Sequence, residues 1–255
     1  MTDIKKTFVV FGNKRFIKSR DRIVNEASEL KIFDNFIVET ENICQEEPFK
    51  KVIENYNKNN PRKPNPGRGF YFYMWKPYVI YKNLLKLEDG DILFYADCGM
   101  QIKNNKPTIN KFNYLFNVVT NDEFCPTGIA TFITTGPSEN RKEIQYNKKE
   151  VFRYFKVLDN DDIKFSQQVQ AGVTMIQKNE KSMEIIKKWF ELTISNPEFY
   201  IGDRRFSTKV KAEAQYPEYK AHRHDQSVWS ILCKLNKINI LTHDNNPMIQ
   251  CHKRE

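Results

Sequence analysis

Two hydrophobic patterns alternate along this chain. Short unbroken apolar runs recur, and between them lie longer segments whose apolar residues fall on one helical face. Thr7-Phe8-Val9-Val10-Phe11 reads as a first buried strand, followed by the turn Gly12-Asn13. Arg20 to Leu30 sets Ile23, Ala27 and Leu30 on one side of a helix. Phe36-Ile37-Val38 predicts a second strand, and Phe49 to Tyr56 a short helix. Asn57 to Gly67 is rich in Asn, Pro and basic residues and reads as a loop. A strand–helix–strand opening of this kind points to right-handed βαβ units.

The stretch from Gly67 to Gly99 has the clearest internal order. Gly67-Arg68-Gly69 is a flexible, basic lead-in. Met74-Trp75-Lys76-Pro77 opens a helix, with Pro77 suited to the first helical position because its missing N–H would be unpaired there anyway. Ile80, Leu84 and Leu87 continue on one face, and Asp89-Gly90 ends the helix in a turn. Ile92-Leu93-Phe94-Tyr95 shows no polar alternation, which predicts a strand covered on both faces, as in a parallel sheet. Asp97 then stands at a strand's carboxyl end, where open α/β sheets bind their ligands.

Further on, Phe112, Leu115 and Phe116 predict a helix packed on the sheet, and Gly128 to Ile133 a strand. Arg141 to Phe155 turns from polar to amphipathic, with Lys148 and Lys149 near a helix start. Gln167 to Ile176 reads as a strand containing Ala171-Gly172, and glycine inside a strand marks close approach of a ligand or another backbone. Asn179 to Leu192 reads as a helix with Met183, Ile186 and Phe190 on one face, and the same pattern assigns Trp189 to the core. Pro197 to Ala221 is a basic, aromatic loop carrying Arg204, Arg205, Lys209 and Lys211, long enough to suggest a lid or acceptor-binding segment. Asp225 to Leu235 is a helix lined by Val228, Ile231, Leu232 and Leu235, and Asn239-Ile240-Leu241 a last short strand.

The expected fold is therefore α/β: one domain over 1–255, with a mostly parallel central sheet flanked by helices. No linker with a composition shift divides the 255 residues, and the length suffices for a sizeable core. Lys and Arg number 41 against 32 Asp and Glu, a net charge of +9, which favours an anionic partner or simply a solvated basic surface. Five cysteines at irregular spacing, with no Cys-x-x-Cys pair, argue against a zinc ribbon and fit a reducing compartment. The opening MTDIKKTFVVFGNKR lacks the apolar core of a signal peptide, and no apolar run reaches membrane-spanning length. A cytoplasmic protein, with basic charge suited to peripheral membrane contact, is the expectation.

Three places carry candidate chemistry. Asp97 ends an apolar strand, where a carboxylate is costly unless used or solvated. Lys76 at a helix start can meet phosphate or pair with a carboxylate. His222-Arg223-His224-Asp225-Gln226-Ser227 is the densest polar cluster, in which Asp225 could serve only as a helix cap and the two histidines only weakly suggest a metal.

These blocks together carry a resemblance. Gly-x-Gly, Trp-Lys-Pro, Tyr-x-Asp-x-Gly, Gln-x-x-Ala-Gly and His-Arg-x-Asp-Gln-Ser occur here in that order. The order resembles small nucleotide-sugar glycosyltransferases of bacterial surface-polysaccharide clusters and large DNA viruses. It covers about Thr7 to about Leu232. The resemblance implies a GT-A fold, with a donor-nucleotide half near 1–125 and an acceptor half near 126–255. It implies a nucleoside diphosphate sugar such as a UDP-sugar as donor, and a glycan or glycoprotein as acceptor.

On that resemblance, Phe11, Gly12, Asn13, Arg68, Lys76 and Asp97 face the donor. Gln170, Ala171, Gly172, Arg223 and Gln226 face the acceptor, and Asp225 and Asp97 are catalytic. Mn²⁺ or Mg²⁺ is the implied metal, with Asp97 as ligand and His243 as a further candidate. Gly99 stands where such enzymes usually carry a second aspartate, so the metal would be loosely held. A nucleic-acid enzyme or binder is the competing reading, on the basic charge and on the nuclease-like Glu218-x-Lys220. A noncatalytic carbohydrate-binding protein is the third. Neither a Walker loop nor a helix-turn-helix is visible, so no nucleic acid is expected.

Overall fold

A computed structural model of the chain describes residues 3–59, 70–134, 141–201 and 215–250. Strands β1 (Lys6–Phe11), β2 (Asn35–Glu39), β3 (Ile92–Asp97), β5 (Ile129–Ile133), β6 (Val169–Gln177) and β7 (Asn239–Leu241) form one sheet in the order β2-β1-β3-β6-β5-β7. β1 runs parallel to β2 and β3, and β5 parallel to β7. β6 alone is antiparallel to both its neighbours, β3 and β5. The sheet is thus mostly parallel, and it joins the two halves of the chain at the β3–β6 pair. β4 (Met100–Ile102) and β8 (Met248–Gln250) pair in a small separate ribbon that the sequence pattern does not disclose.

Helices cover both faces. α1 (Ile17–Glu29) and α4 (Lys106–Val119) pack one side, where Phe8, Val10 and Phe94 meet Ile23, Ala27, Phe112 and Leu115. α2 (Glu47–Asn59), α3 (Trp75–Leu85), α8 (Glu180–Ser195) and α9 (Asp225–Leu235) pack the other, against Val9, Phe11, Leu93 and Tyr95. The central strands β1 and β3 read as unbroken apolar runs because both their pleat faces are dry: Ile92 to Ala96 are essentially inaccessible. Trp189 is core, stacked on Trp229 with ring centroids 4.4 Å apart. Three short helices, α5 (Glu143–Tyr146), α6 (Lys149–Tyr154) and α7 (Asp161–Lys164), fill the crossing between β5 and β6.

Some expectations shift. α3 begins at Trp75, so Pro77 is its third residue and not its first. Its N–H would still be an orphan in the first turn, so the proline fits there equally well. The helix ends at Leu85, which leaves Leu87 beyond it and only partly buried. Leu235 closes α9 but is exposed. Among the described residues, no helix is long and apolar enough to cross a membrane.

Candidate functional site

The carboxyl ends of β1 and β3 lie side by side, and their register sets Phe11 opposite Asp97. On the other flank β6 carries a bulge. Thr131 pairs with Thr174 but Ile133 pairs with Val169, so β6 holds extra residues between those rungs. The Thr131 hydroxyl lies within hydrogen-bonding reach of the Gln170 and Val173 carbonyls, at 3.2 and 3.1 Å, and steadies the bulge. Bulges of this kind re-aim side chains next to active sites. Here the bulge lays Gly172 against Asp97: a methyl group at Gly172 would stand 3.0 Å from Asp97 Oδ2 and 3.1 Å from Met100 Cε. The close approach marked by this glycine is therefore that of a carboxylate. Gly172→Ala is expected to displace the Asp97 carboxyl by a few tenths of an ångström with little loss of stability. A crystal structure of the variant and parallel thermal melts check this, and an unmoved carboxyl would show that Asp97 has room for the methyl group.

Two chain segments with left-handed backbone bring further groups to the same place. Tyr71, Phe72 and Tyr73 have φ of 43°, 52° and 61° and lead directly into α3. His224, at φ 54°, precedes α9. For side-chain-bearing residues such angles cost energy, and they concentrate at functional sites. The two segments support each other, since the His224 ring lies 5.4 Å from that of Phe72 and 5.9 Å from that of Tyr73. They deliver Lys76 and Asp225, the second residue of α3 and the first of α9. Asp225 is therefore inside the helix, and the residue capping the helix is His224, which makes no side-chain cap bond.

Lys76, Asp97 and Asp225 meet. Lys76 Nζ is 3.1 Å from Asp97 Oδ1 and 2.7 Å from Asp225 Oδ2. The Lys76–Asp225 contact is a close ion pair between two buried side chains. The Tyr95 hydroxyl donates to Asp97 Oδ1 at 2.7 Å. The rings of Tyr73, Trp75 and Tyr95 lie within 6 Å of the ammonium. Lys76 and Asp225 are buried, with side chains 3% and 6% exposed, whereas the Asp97 side chain keeps 34%.

Burial raises the proton affinity of Asp225, and Asp97 adds to this against the opposing pull of Lys76, leaving the group at about 6. Burial disfavours the Lys76 charge, but Asp225 and then Asp97 outweigh it and hold the ammonium above its ordinary value. The site thus contains a permanent cation and a carboxyl poised near neutrality.

A second polar network lies behind Asp225. Glu143, fully buried, accepts from Ser230 and Lys234 and, at 3.1 Å each, from Asn147 and Gln168. Gln168 in turn accepts from Gln226 Nε2 at 2.9 Å. The Arg223 guanidinium lies over the Tyr146 ring at 5.6 Å, and its backbone N–H donates to Ser227 Oγ. Nothing in the spacing of the sequence singles out Glu143. A glutamate three residues into an amphipathic segment looks like any solvated one.

Of the expected site residues, Phe11, Lys76, Asp97, Gly172 and Asp225 converge, whereas Gln226 is tied through Gln168 to the Glu143 network. Phe11 stacks on Trp75 at 3.8 Å, so one of its ring faces is already covered. Gly12 packs against Arg20, and Asn13 caps the short helical turn after β1 by accepting from Arg15 N. The Ala171 methyl lies in the core, and Gln170 is buried with no partner for Nε2 among the described residues. Arg68 lies outside the described residues, as do Arg204, Arg205, Lys209 and Lys211. Arg22, not anticipated, clamps the turn after β3 by donating to the Met100 carbonyl at 2.9 Å.

The expected metal set does not assemble. His243 follows β7, the edge strand, with β6 and β5 between it and β3. Three strand spacings amount to roughly 14 Å, far beyond shared coordination. His222 takes the Lys148 N–H on Nδ1 and donates Nε2–H to the Phe199 carbonyl, so both ring nitrogens are used. Burial keeps it neutral. Among the described residues no three His, Cys, Asp or Glu side chains form a group that could hold a metal ion. The position between the two carboxylates is taken by the Lys76 ammonium, and these residues do not fit a divalent ion there.

No family model and no curated protein matches the chain. Among solved structures it is similar to a glycosyltransferase involved in glycosylation of the major capsid of PBCV-1, at 12% identity and TM-score 0.46, over 94% of this chain and 82% of that one. It is similar to apo mouse xyloside xylosyltransferase 1 at 10% identity and TM-score 0.46, over 94% and 85%. It is also similar to mannose-6-phosphate isomerase from Helicobacter pylori at 10% identity and TM-score 0.40, over 98% and 95%. Likeness at this level does not select a reaction.

Proposed function

We propose that this chain is a glycosyltransferase of GT-A type that moves a sugar from a nucleoside diphosphate sugar to a hydroxyl of a glycan acceptor. The observation that carries the reading is the meeting of Asp97 and Asp225 at the carboxyl end of a mostly parallel sheet, beside the Gly172 bulge. Asp97 is the solvent-facing member and orients the donor. Asp225 takes the proton of the acceptor hydroxyl, a task that suits a carboxyl with its affinity near the working pH. Gln226, held by Gln168, supplies a hydrogen bond to the sugar. The competing nuclease reading loses its motif, since Pro217-Glu218-Tyr219-Lys220 lies in a turn and loop and not on a core strand.

A thermal-shift panel of nucleoside diphosphate sugars tests the donor, because a ligand that binds only the folded state raises the melting point by mass action. At least one member is expected to stabilise the protein and to be consumed when glycan acceptors are added. Stabilisation without turnover would leave a binding protein, and a flat panel would remove the reading. The pH profile is a second test. If Asp225 must be ionised, kcat/KM rises with pH and levels off above an apparent pKa of about 6. A profile flat between pH 5 and 8 would exclude Asp225 as the base.

A further inference from the structure

We infer that Lys76 is a built-in cation that occupies the place of a divalent metal between Asp97 and Asp225. The inference rests on the assignment of this site and not on the reaction proposed for it. Two carboxylates that converge on one point are the usual beginning of a Mg²⁺ or Mn²⁺ site, since both ions choose carboxylate oxygen. Here the point of convergence holds a nitrogen. Nζ stands 2.7 Å from Asp225 Oδ2 and 3.1 Å from Asp97 Oδ1, which is where an ion bridging the same oxygens would have to sit. The ammonium cannot easily give way. Lys76 leaves its backbone from the first turn of α3, and its residue is 2% exposed. Tyr73, Trp75 and Tyr95 present rings around it within 6 Å, a setting that favours a monovalent organic cation.

The surrounding chain is consistent with this. Gly99 occupies the position two residues after Asp97, so no second carboxylate follows on that turn. The Tyr95 hydroxyl uses Asp97 Oδ1. Gly172 lies close against Oδ2. A divalent ion on these oxygens would meet a fixed like charge within bonding distance of its own ligands, a repulsion that little intervening water would screen. The role assigned to Lys76 is thus positional. It holds two carboxylates together that would otherwise repel, and it does so without an exchangeable ion.

The experiment is a Mn²⁺ titration of metal-free protein followed by electron paramagnetic resonance, with no sugar nucleotide present. Wild type and Asp225→Asn are expected to bind Mn²⁺ equally weakly, because Asp225 is not available to the metal. Lys76→Met vacates the position, and it is expected to bind Mn²⁺ at least tenfold more tightly, a gain lost in the Lys76→Met/Asp225→Asn double variant. A wild-type site weakened tenfold or more by Asp225→Asn would overturn the inference, and that comparison does not require Lys76→Met to fold. A folded Lys76→Met variant without the gain would overturn it as well. The readout is metal binding alone, so failure of the glycosyl-transfer reading leaves the result interpretable.

Discussion

Asp225→Asn is expected to slow sugar transfer by roughly 10²–10⁴ while leaving the fold about as stable as wild type. The two halves of this expectation have one cause. The Asp225 carboxyl is buried, and its proton affinity is raised to about 6 despite the adjacent ammonium. For an acid, a folded-state pKa above the unfolded one means that the folded protein binds more protons in between. Stability then falls as pH rises from about 4 to about 6, and above that window the protein carries a charge it would fold better without. Asparagine keeps the shape and removes that charge, and Asp97 remains as a partner for the Lys76 ammonium, so its melting point at pH 7.5 should stay close to that of wild type. It cannot take a proton, so the rate falls. The loss belongs in kcat with donor affinity retained. A variant with normal kinetics would make Asp225 a structural partner of Lys76 only. A variant with a much lower melting point would mean that the pair stabilises the fold more than burial of the carboxylate opposes it.

Glu143→Ala is expected to cost about 3–5 kcal/mol, because removing one partner of a buried ion pair leaves the other charge uncompensated. Glu143 is fully buried and gathers Ser230, Lys234, Asn147 and Gln168 from α5, α9 and the strand end. Deleting it strands the Lys234 ammonium and leaves the Asn147 amide only its bond to the Ser227 carbonyl. For a chain of this size the melting point should drop on the order of 10 °C. Glu143→Gln keeps the volume and part of the bonding and should lose less. Because Gln168 also holds Gln226, both variants should raise acceptor KM more than they change donor binding. Calorimetric melts and a KM series separate the two effects. A melting point within a degree or two of wild type would show that water replaces the lost partner.

The hydrophobic pattern alone determined much of this protein. The apolar runs Thr7–Phe11 and Ile92–Tyr95 became central strands of the main sheet, because a strand buried on both faces does not alternate. The helical faces of α1, α4 and α9 lie where their spacing put them, apart from Leu235. The placement of Asp97 at a strand end and Lys76 at a helix start was also legible, since both are local consequences of chain order.

What sequence could not supply was pairing. The antiparallel insertion of β6 between β3 and β5, and the bulge that presses Gly172 on Asp97, depend on which strands meet. Nothing within the β6 segment, which mixes Gln170 and Thr174 with apolar residues, fixes the direction of its neighbours. The convergence of Lys76 on two carboxylates far apart in the chain is likewise a product of packing, as is the burial that makes Glu143 an anchor. Spacing shows which face of an element a residue occupies, but only the packed structure decides what stands opposite. Here that opposite group is what turns a lysine suited to phosphate into the cation between two aspartates.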